Sequence, residues 1–296
     1  MEAGQGIGVQ REVLCSFFED FYGSCCTGAS ELVPIVRHDM TQLQWEAVAR
    51  IIIYAIKHGY FPVRLSPAFL KASFLGDIIS KEELISSFKN YISIEEKDIV
   101  EENMKELSDD TSDLLDVLSA FKCYSRPTKD NLEQIIHQLA HQELIQKPKY
   151  ISSCFFSIFK AVVFPVVFPA GFSPVNLKQF FEKKIPSGRK VSALFNATPT
   201  DPEEIQSFDH LKRYVKNLNI VDLTKLLRVM TGSDIIVVEK IDIVFTSLIG
   251  FNRRPIFHTC SPSLELPKTY GSYNELSEEF NSIINNPKGS LSFDIA

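Results

Sequence analysis

One stretch of this chain fits neither a helix nor the middle of a sheet. Asn196-Ala197-Thr198-Pro199-Thr200-Asp201-Pro202 carries two prolines in a polar run. Proline has no N–H to give a ladder, and it drives the residue before it out of the helical region. The run is therefore read as the best linker in the chain. The chain's 296 residues give room for one large domain or two smaller ones. The 45% hydrophobic and 23% charged content is that of an ordinary globular protein.

Before this linker, apolar residues recur at helical spacing. Val13, Leu14, Phe17, Phe18 and Phe21 mark a helix over 11–21. A stronger one runs from Thr41 to His58, with Thr41 and Gln44 as a capping box and Gly59 as the stop. Its apolar face is Trp45, Val48, Ile51, Ile52, Ala55 and Ile56. Residues 80–118 are helical in pattern and acidic, a solvated face with Glu95, Glu96, Asp98, Glu101 and Glu102 among its charges. Thr128 to Asn131 opens a helix that reaches His141. The apolar run from Ile151 to Phe172 is interrupted by Lys160, Pro165 and Pro169. It reads as a buried helix followed by a proline-rich turn, because a membrane span needs about 20 uninterrupted apolar residues.

After the linker the pattern mixes periods. Asp201 can cap a helix whose first turn holds Pro202, Glu203 and Glu204. Ile205, Phe208, Leu211 and Val215 form its predicted core face. A second helix spans Asp222 to Met230 and stops at Thr231-Gly232. Strands are expected over Ile235 to Val238 and Ile241 to Thr246, and period-2 alternation returns at Phe257, Thr259, Leu264 and Leu266. A last helix begins with the capping box Ser272 and Glu275, and buries Leu276, Phe280, Ile283 and Ile284. The fold class is α+β.

Several functions are argued against. A net charge of −6 and the absence of a dense Lys/Arg run do not suit a nucleic-acid binder. Gly4, Gly6 and Gly8 have phosphate-loop spacing, but only three residues stand before Gly4, too few for the strand such a loop follows. His137 and His141 share a helical face, yet HQLAH lacks the glutamate of HExxH and has no third ligand in view. No metal or cofactor is expected. The six cysteines, Cys15, Cys25, Cys26, Cys123, Cys154 and Cys260, include no CxxC pair, and no apolar signal region leads the chain. They read as reduced thiols of an intracellular protein, cytoplasmic or nuclear.

Cys260 is the exceptional one. It interrupts the alternating run Pro255 to Pro267, and Pro262 marks a turn. An exposed edge is where a reactive thiol belongs. The segment Pro255, His258-Thr259-Cys260, Leu264-Glu265-Leu266-Pro267, Tyr270 and Ser272-Tyr273 resembles the catalytic segment of HECT-type ubiquitin ligases. The family has Phe-Asn after the cysteine where this chain has Ser261-Pro262. Gly8, Arg11 and Glu12 resemble the family's Gly-Gly-x-x-Arg-Glu segment, and Leu226 to Gly232 its Leu-x-x-Phe-x-Thr-Gly, with Val229 for the Phe. EAVARIIIYAIKHGYFPVRLSP and FDHLKRYVKNL are similar to a divergent group within that family.

The resemblance implies a bilobal domain, a mostly helical N-lobe over 1–198 hinged to a smaller α/β C-lobe over 199–296. It implies that the chain begins inside the N-lobe, and that residues 78–128 form the subdomain receiving the ubiquitin-conjugating enzyme. That subdomain is short and helix-like here, whereas the family's is longer and rich in strands. Cys260 would take ubiquitin as a thioester and pass it to a lysine of a protein substrate. Thr259 would position the thioester, and His258 would favour the thiolate if both side chains project from one face of an extended segment. Phe293, the fourth residue from the end, matches the phenylalanine that serves transfer to the lysine and implies a complete C-lobe. Two other readings stand beside this one: a silent HECT-like module that binds ubiquitin or a partner, and an unrelated cysteine hydrolase. The hydrolase would want its nucleophile at a helix start, unlike Cys260.

Overall fold

The computed structural model describes residues 6–76, 79–161, 173–250 and 253–285. They fold as an α+β protein in two compact units. One unit is Phe18–Phe181; the other joins the residues up to Phe17 with those from Glu182 onward.

Helix α1 spans Ile7–Cys25 and starts earlier than the apolar spacing predicted, taking in Gly8. Its buried hydrophobic residues are Leu14, Cys15, Phe18, Phe21, Tyr22 and Cys25, whereas Val13, expected on the core face, is exposed. A short hairpin follows, β1 Cys26–Gly28 and β2 Leu32–Pro34. Helix α2, Gln42–Lys57, carries its signals as expected. Gln44 Oε1 accepts from the Thr41 N–H at 2.8 Å, and the helix stops before Gly59. Trp45, Val48, Ala49, Ile52, Ala55 and Ile56 are buried. Ala49 takes the place expected for Ile51, which is half-buried.

Helices α3 Pro67–Leu75, α4 Lys81–Tyr91, α5 Ile94–Lys105 and α6 Ser112–Ala120 continue this unit. The Ser80 and Ser93 hydroxyls accept from the N–H groups of Glu83 and Glu96, and each glutamate returns a bond to its serine's N–H. These reciprocal caps explain why an acidic region holds regular helices. Helix α7, Leu132–His141, runs through a π-helical turn, Gln142–Gln146, towards α8, Lys149–Phe159. Phe155 and Phe159 of α8 pack with Trp45, Phe69 and Phe74 in an aromatic core. The proline-rich turn expected after α8 lies outside the described residues. Among the described residues, no helix is long and apolar enough to cross a membrane.

Helix α9 spans Leu177–Lys184, α10 Gly188–Ala193 and β3 Phe195–Asn196. Asp201 caps α11, Pro202–Asn217, by accepting from the Glu204 N–H at 2.9 Å. The buried face of α11 is Ser207, Leu211, Tyr214 and Val215. Ile205 is exposed and Phe208 only half-buried, because Ser207 faces inward and gives its hydroxyl to the Pro267 carbonyl at 2.8 Å. Helix α12, Ile220–Thr231, begins two residues before the predicted Asp222, where the Asn219 side chain accepts from the Asp222 N–H. It ends as expected at Gly232, whose φ of 76° is the left-handed value that suits glycine.

Residues 235–238 do not form the predicted strand. Ile235 is buried beside the Thr231–Ser233 turn, and the Ile236 N–H goes to the Lys184 carbonyl instead of to a strand partner. Strand β4, Ile241–Thr246, matches the expected limits. It is followed by β5 Ile256–His258, β6 Ser263–Pro267 and helix α13 Tyr273–Asn285. In the last cap Ser272 accepts from the Glu275 N–H as expected, but the Glu275 carboxylate takes the Gly271 N–H rather than that of Ser272.

The sheet order is β3-β4-β6-β5. β3, β4 and β6 are parallel, and β5 runs antiparallel to β6 at the edge. Ile241, Ile243, Leu264 and Leu266 form a core with Leu226, Leu227, Met230, Leu276 and Phe280 of α12 and α13. Strand β3 and helix α10, which the sequence division at 198/199 places before the hinge, pack against β4 and α11.

Candidate active site

Strands β5 and β6 make a hairpin. Its register pairs Phe257 with Leu264 and His258 with Ser263, and the turn is Thr259-Cys260-Ser261-Pro262. Leu264 and Leu266 hold β6 in the core, and Phe257 packs edge-on to Phe280, 5.9 Å between ring centres. Pro262 donates nothing to the ladder, but its carbonyl accepts from the Asp242 N–H at 3.0 Å. The turn is thus built on a rigid sheet edge, with Cys260 exposed at its crest.

All six cysteines are free, and Cys260 is the one that is exposed. Burial pushes the thiols of Cys15, Cys26 and Cys154 above the ordinary range, which keeps them protonated and unreactive.

The first turn of α1 lies against this crest. A side-chain carbon on Gly6 would stand 3.0 Å from the Cys260 Sγ. One on Gly8 would stand 2.6 Å from the Thr259 Oγ1 and 3.0 Å from the Cys260 backbone nitrogen. Only glycine permits so close an approach. The thiol therefore sits beside the end of α1 where backbone N–H groups lack helical partners and the helix dipole is positive. Burial holds the Arg11 guanidinium below its ordinary pKa, and a thiolate at Cys260 would act on it in the opposite direction.

Helix α1 is fixed there by the next turns of the same face. Arg228 of α12 grips Glu12 with Nε and Nη2, the latter at 2.6 Å from Oε1, and also reaches the Ser16 hydroxyl at 2.9 Å. Arg11 Nη1 donates to the Thr231 carbonyl at 3.4 Å. The turn at Gly232 faces the Gly8 carbonyl, 2.7 Å from where a side-chain carbon would sit. The segments around Gly8, Gly232 and Cys260 thus meet in one place, although Arg228 and Glu12 are 216 positions apart.

His258 ends β5 and is exposed. The extended segment expected to project His258 and Cys260 from one face stops there, because Cys260 belongs to the turn. The imidazole Nε2 instead lies 2.9 Å from Glu265 Oε1 of β6. Thr259 is packed against Gly8. Phe293 lies outside the described residues.

Sequence reasoning did not find Glu265, Gly6 or the anchoring role of Arg228. Glu265 stood in the quoted Leu-Glu-Leu run, but its partner depends on strand register. His137 and His141 line an open groove with Gln134, Gln138, Gln142 and Gln146. Among the described residues no three His, Cys, Asp or Glu side chains are grouped to hold a metal. No family model matches the chain, and no curated protein matches it.

Proposed function

We propose that this chain is the catalytic region of a HECT-type ubiquitin-protein ligase, within the group of the G2/M-phase-specific ubiquitin-protein ligase. In this proposal Cys260 serves two partners in turn, first the conjugating enzyme and then the protein substrate. The Cys260 thiolate attacks the thioester carbonyl that joins ubiquitin to a conjugating enzyme. A new sulfur–acyl bond forms and the conjugating enzyme leaves as its thiolate. The amine of a substrate lysine then attacks the Cys260 thioester, loses a proton to a base, and releases Cys260 as the isopeptide forms. Exchanging one thioester for another is nearly isoenergetic, so no nucleotide is consumed here.

One observation carries this reading. The three segments that resemble the family, around Gly8, Gly232 and Cys260, converge on the one exposed cysteine of the chain. The N-terminal end of the α1 dipole and the nearby Arg11 guanidinium suit an anionic nucleophile.

A second reading, a silent module that binds ubiquitin or a partner without forming a thioester, is favoured by a different observation. The described part of 78–128 is helical, α4 to α6, where the family's recruiting subdomain is rich in strands.

The test is single-turnover transfer from ubiquitin-loaded conjugating enzymes, read on a non-reducing gel beside Cys260→Ala. A reducible adduct that disappears in the variant is the expected result. No adduct from the folded protein across a panel of conjugating enzymes would overturn the ligase reading and favour the silent module.

A further inference from the structure

Discharge of a thioester to a lysine needs a group to take the ammonium proton, and the reaction as written above names none. His258 and Glu265 form a pair at the base of the turn that carries Cys260. The two side chains stand 2.9 Å apart, Nε2 to Oε1, and both are open to solvent, 48% and 33% exposed. An incoming lysine can therefore reach them. His258 is two residues from Cys260, which limits their Cα atoms to about 7 Å apart. Both groups ride on the hairpin that presents the nucleophile, so they travel with it.

We infer that His258 accepts the proton of the attacking lysine and that Glu265 holds the imidazole for this task. The inference rests on the proposed ligase reading and deepens it. A neutral imidazole hydrogen-bonded through one nitrogen to a carboxylate has its tautomer fixed, leaving the other nitrogen as the acceptor. The same logic of nucleophile, base and orienting carboxylate recurs on unrelated folds. Here it serves the second step: the lysine amine forms the bond to the acyl carbon, His258 takes the proton, and Cys260 leaves as a thiolate. The imidazolium formed is stabilised by Glu265. His258 would be a catalytic residue and Glu265 a positioning residue.

The experiment separates loading from discharge. Wild type, His258→Asn, Glu265→Gln and Glu265→Asp are loaded with ubiquitin on Cys260. Each adduct is then discharged with free lysine or with hydroxylamine, an amine largely unprotonated near neutrality. Loading is carried to completion in all four, so that discharge is read on the purified adduct alone. Discharge to lysine should fall about 100-fold or more in His258→Asn. It should fall up to about fivefold in Glu265→Gln, the scale of an exposed pair, and recover in Glu265→Asp. Discharge to hydroxylamine should change far less in every variant, because that acceptor needs no strong base; a merely structural role would slow both amines alike.

Normal loading with unchanged discharge to lysine in His258→Asn would overturn the inference and leave the ligase reading intact. An equal loss with both amines would overturn it too. Failure of the wild type to load would remove the reading and the inference together.

Discussion

Gly8→Ala is the sharpest test of how Cys260 is presented. The added carbon would lie 2.6 Å from the Thr259 Oγ1, 2.9 Å from the Thr259 carbonyl carbon and 3.0 Å from the Cys260 nitrogen. Two of those three atoms are backbone on a sheet edge, so they yield little. Overpacking of this kind costs about 1–3 kcal/mol. Alanine returns up to about 1 kcal/mol through helix propensity, less at Gly8 because it lies in the first turn of α1. The net loss is about 1–2 kcal/mol if the helix stays docked, and smaller if its first turn lets go of Cys260. Gly23→Ala in the same helix is the control, since nothing lies within 4 Å of a side-chain carbon there. Thermal unfolding and mass-spectrometric alkylation of Cys260 read the two variants. Gly8→Ala should lower Tm, at about 2–4 °C per kcal/mol, and speed alkylation; Gly23→Ala should raise Tm slightly and leave alkylation alone. Equal upward shifts with equal alkylation would refute the packing of α1 on the Cys260 turn.

Two further outcomes follow from the cores beneath these elements. Phe280→Ala removes a buried ring stacked edge-on to Tyr214 and Phe257, and should cost about 3–5 kcal/mol in chemical denaturation while exposing Cys260 to faster alkylation. A loss below 1 kcal/mol would mean that β5 does not rest on α13. In the other unit, burial raises the Glu31 carboxyl above its ordinary pKa, against the bond it accepts from Asn90. The unfolded chain ionises at the ordinary value, so the neutral carboxyl favours the fold. Its contribution is complete below that value and is lost as pH rises through the raised one. Glu31→Gln should flatten the fall in urea midpoint between about pH 4 and the raised value; parallel curves for the variant and wild type would contradict it.

The parts that sequence made legible are those with local causes. Thr41 with Gln44, Asp201 with Pro202, and the stops at Gly59 and Gly232 are signals a few residues long. The misreadings came where the deciding partner is distant. The run Ile235 to Val238 has strand composition, but β4, the strand that follows it, is already flanked by β3 and β6, and the Ile236 N–H goes to the Lys184 carbonyl. The face of α11 was misjudged because periodicity cannot weigh a serine whose partner is the Pro267 carbonyl, 60 positions on. The approach of Gly8 to Thr259 is longer still, and two glycines near a chain start look alike whether they hold a phosphate or a neighbouring turn.

The His258–Glu265 pair shows how much one missing fact can hide. Both residues stood in the segment that singled out Cys260, and the alternation was plain: Leu264 and Leu266 inward, so Glu265 outward. What the sequence lacked was register. Once Phe257 is set against Leu264, with both side chains on the core face, Ile256 and His258 must point the other way. Glu265 is then directly opposite Ile256 and diagonal to His258, within reach of a long side chain across an antiparallel pair. A slip of one residue would turn His258 or Glu265 into the core and part them. The pairing is therefore held by the same buried residues that hold the hairpin, and the proposed base is as rigidly placed as the turn that carries the nucleophile.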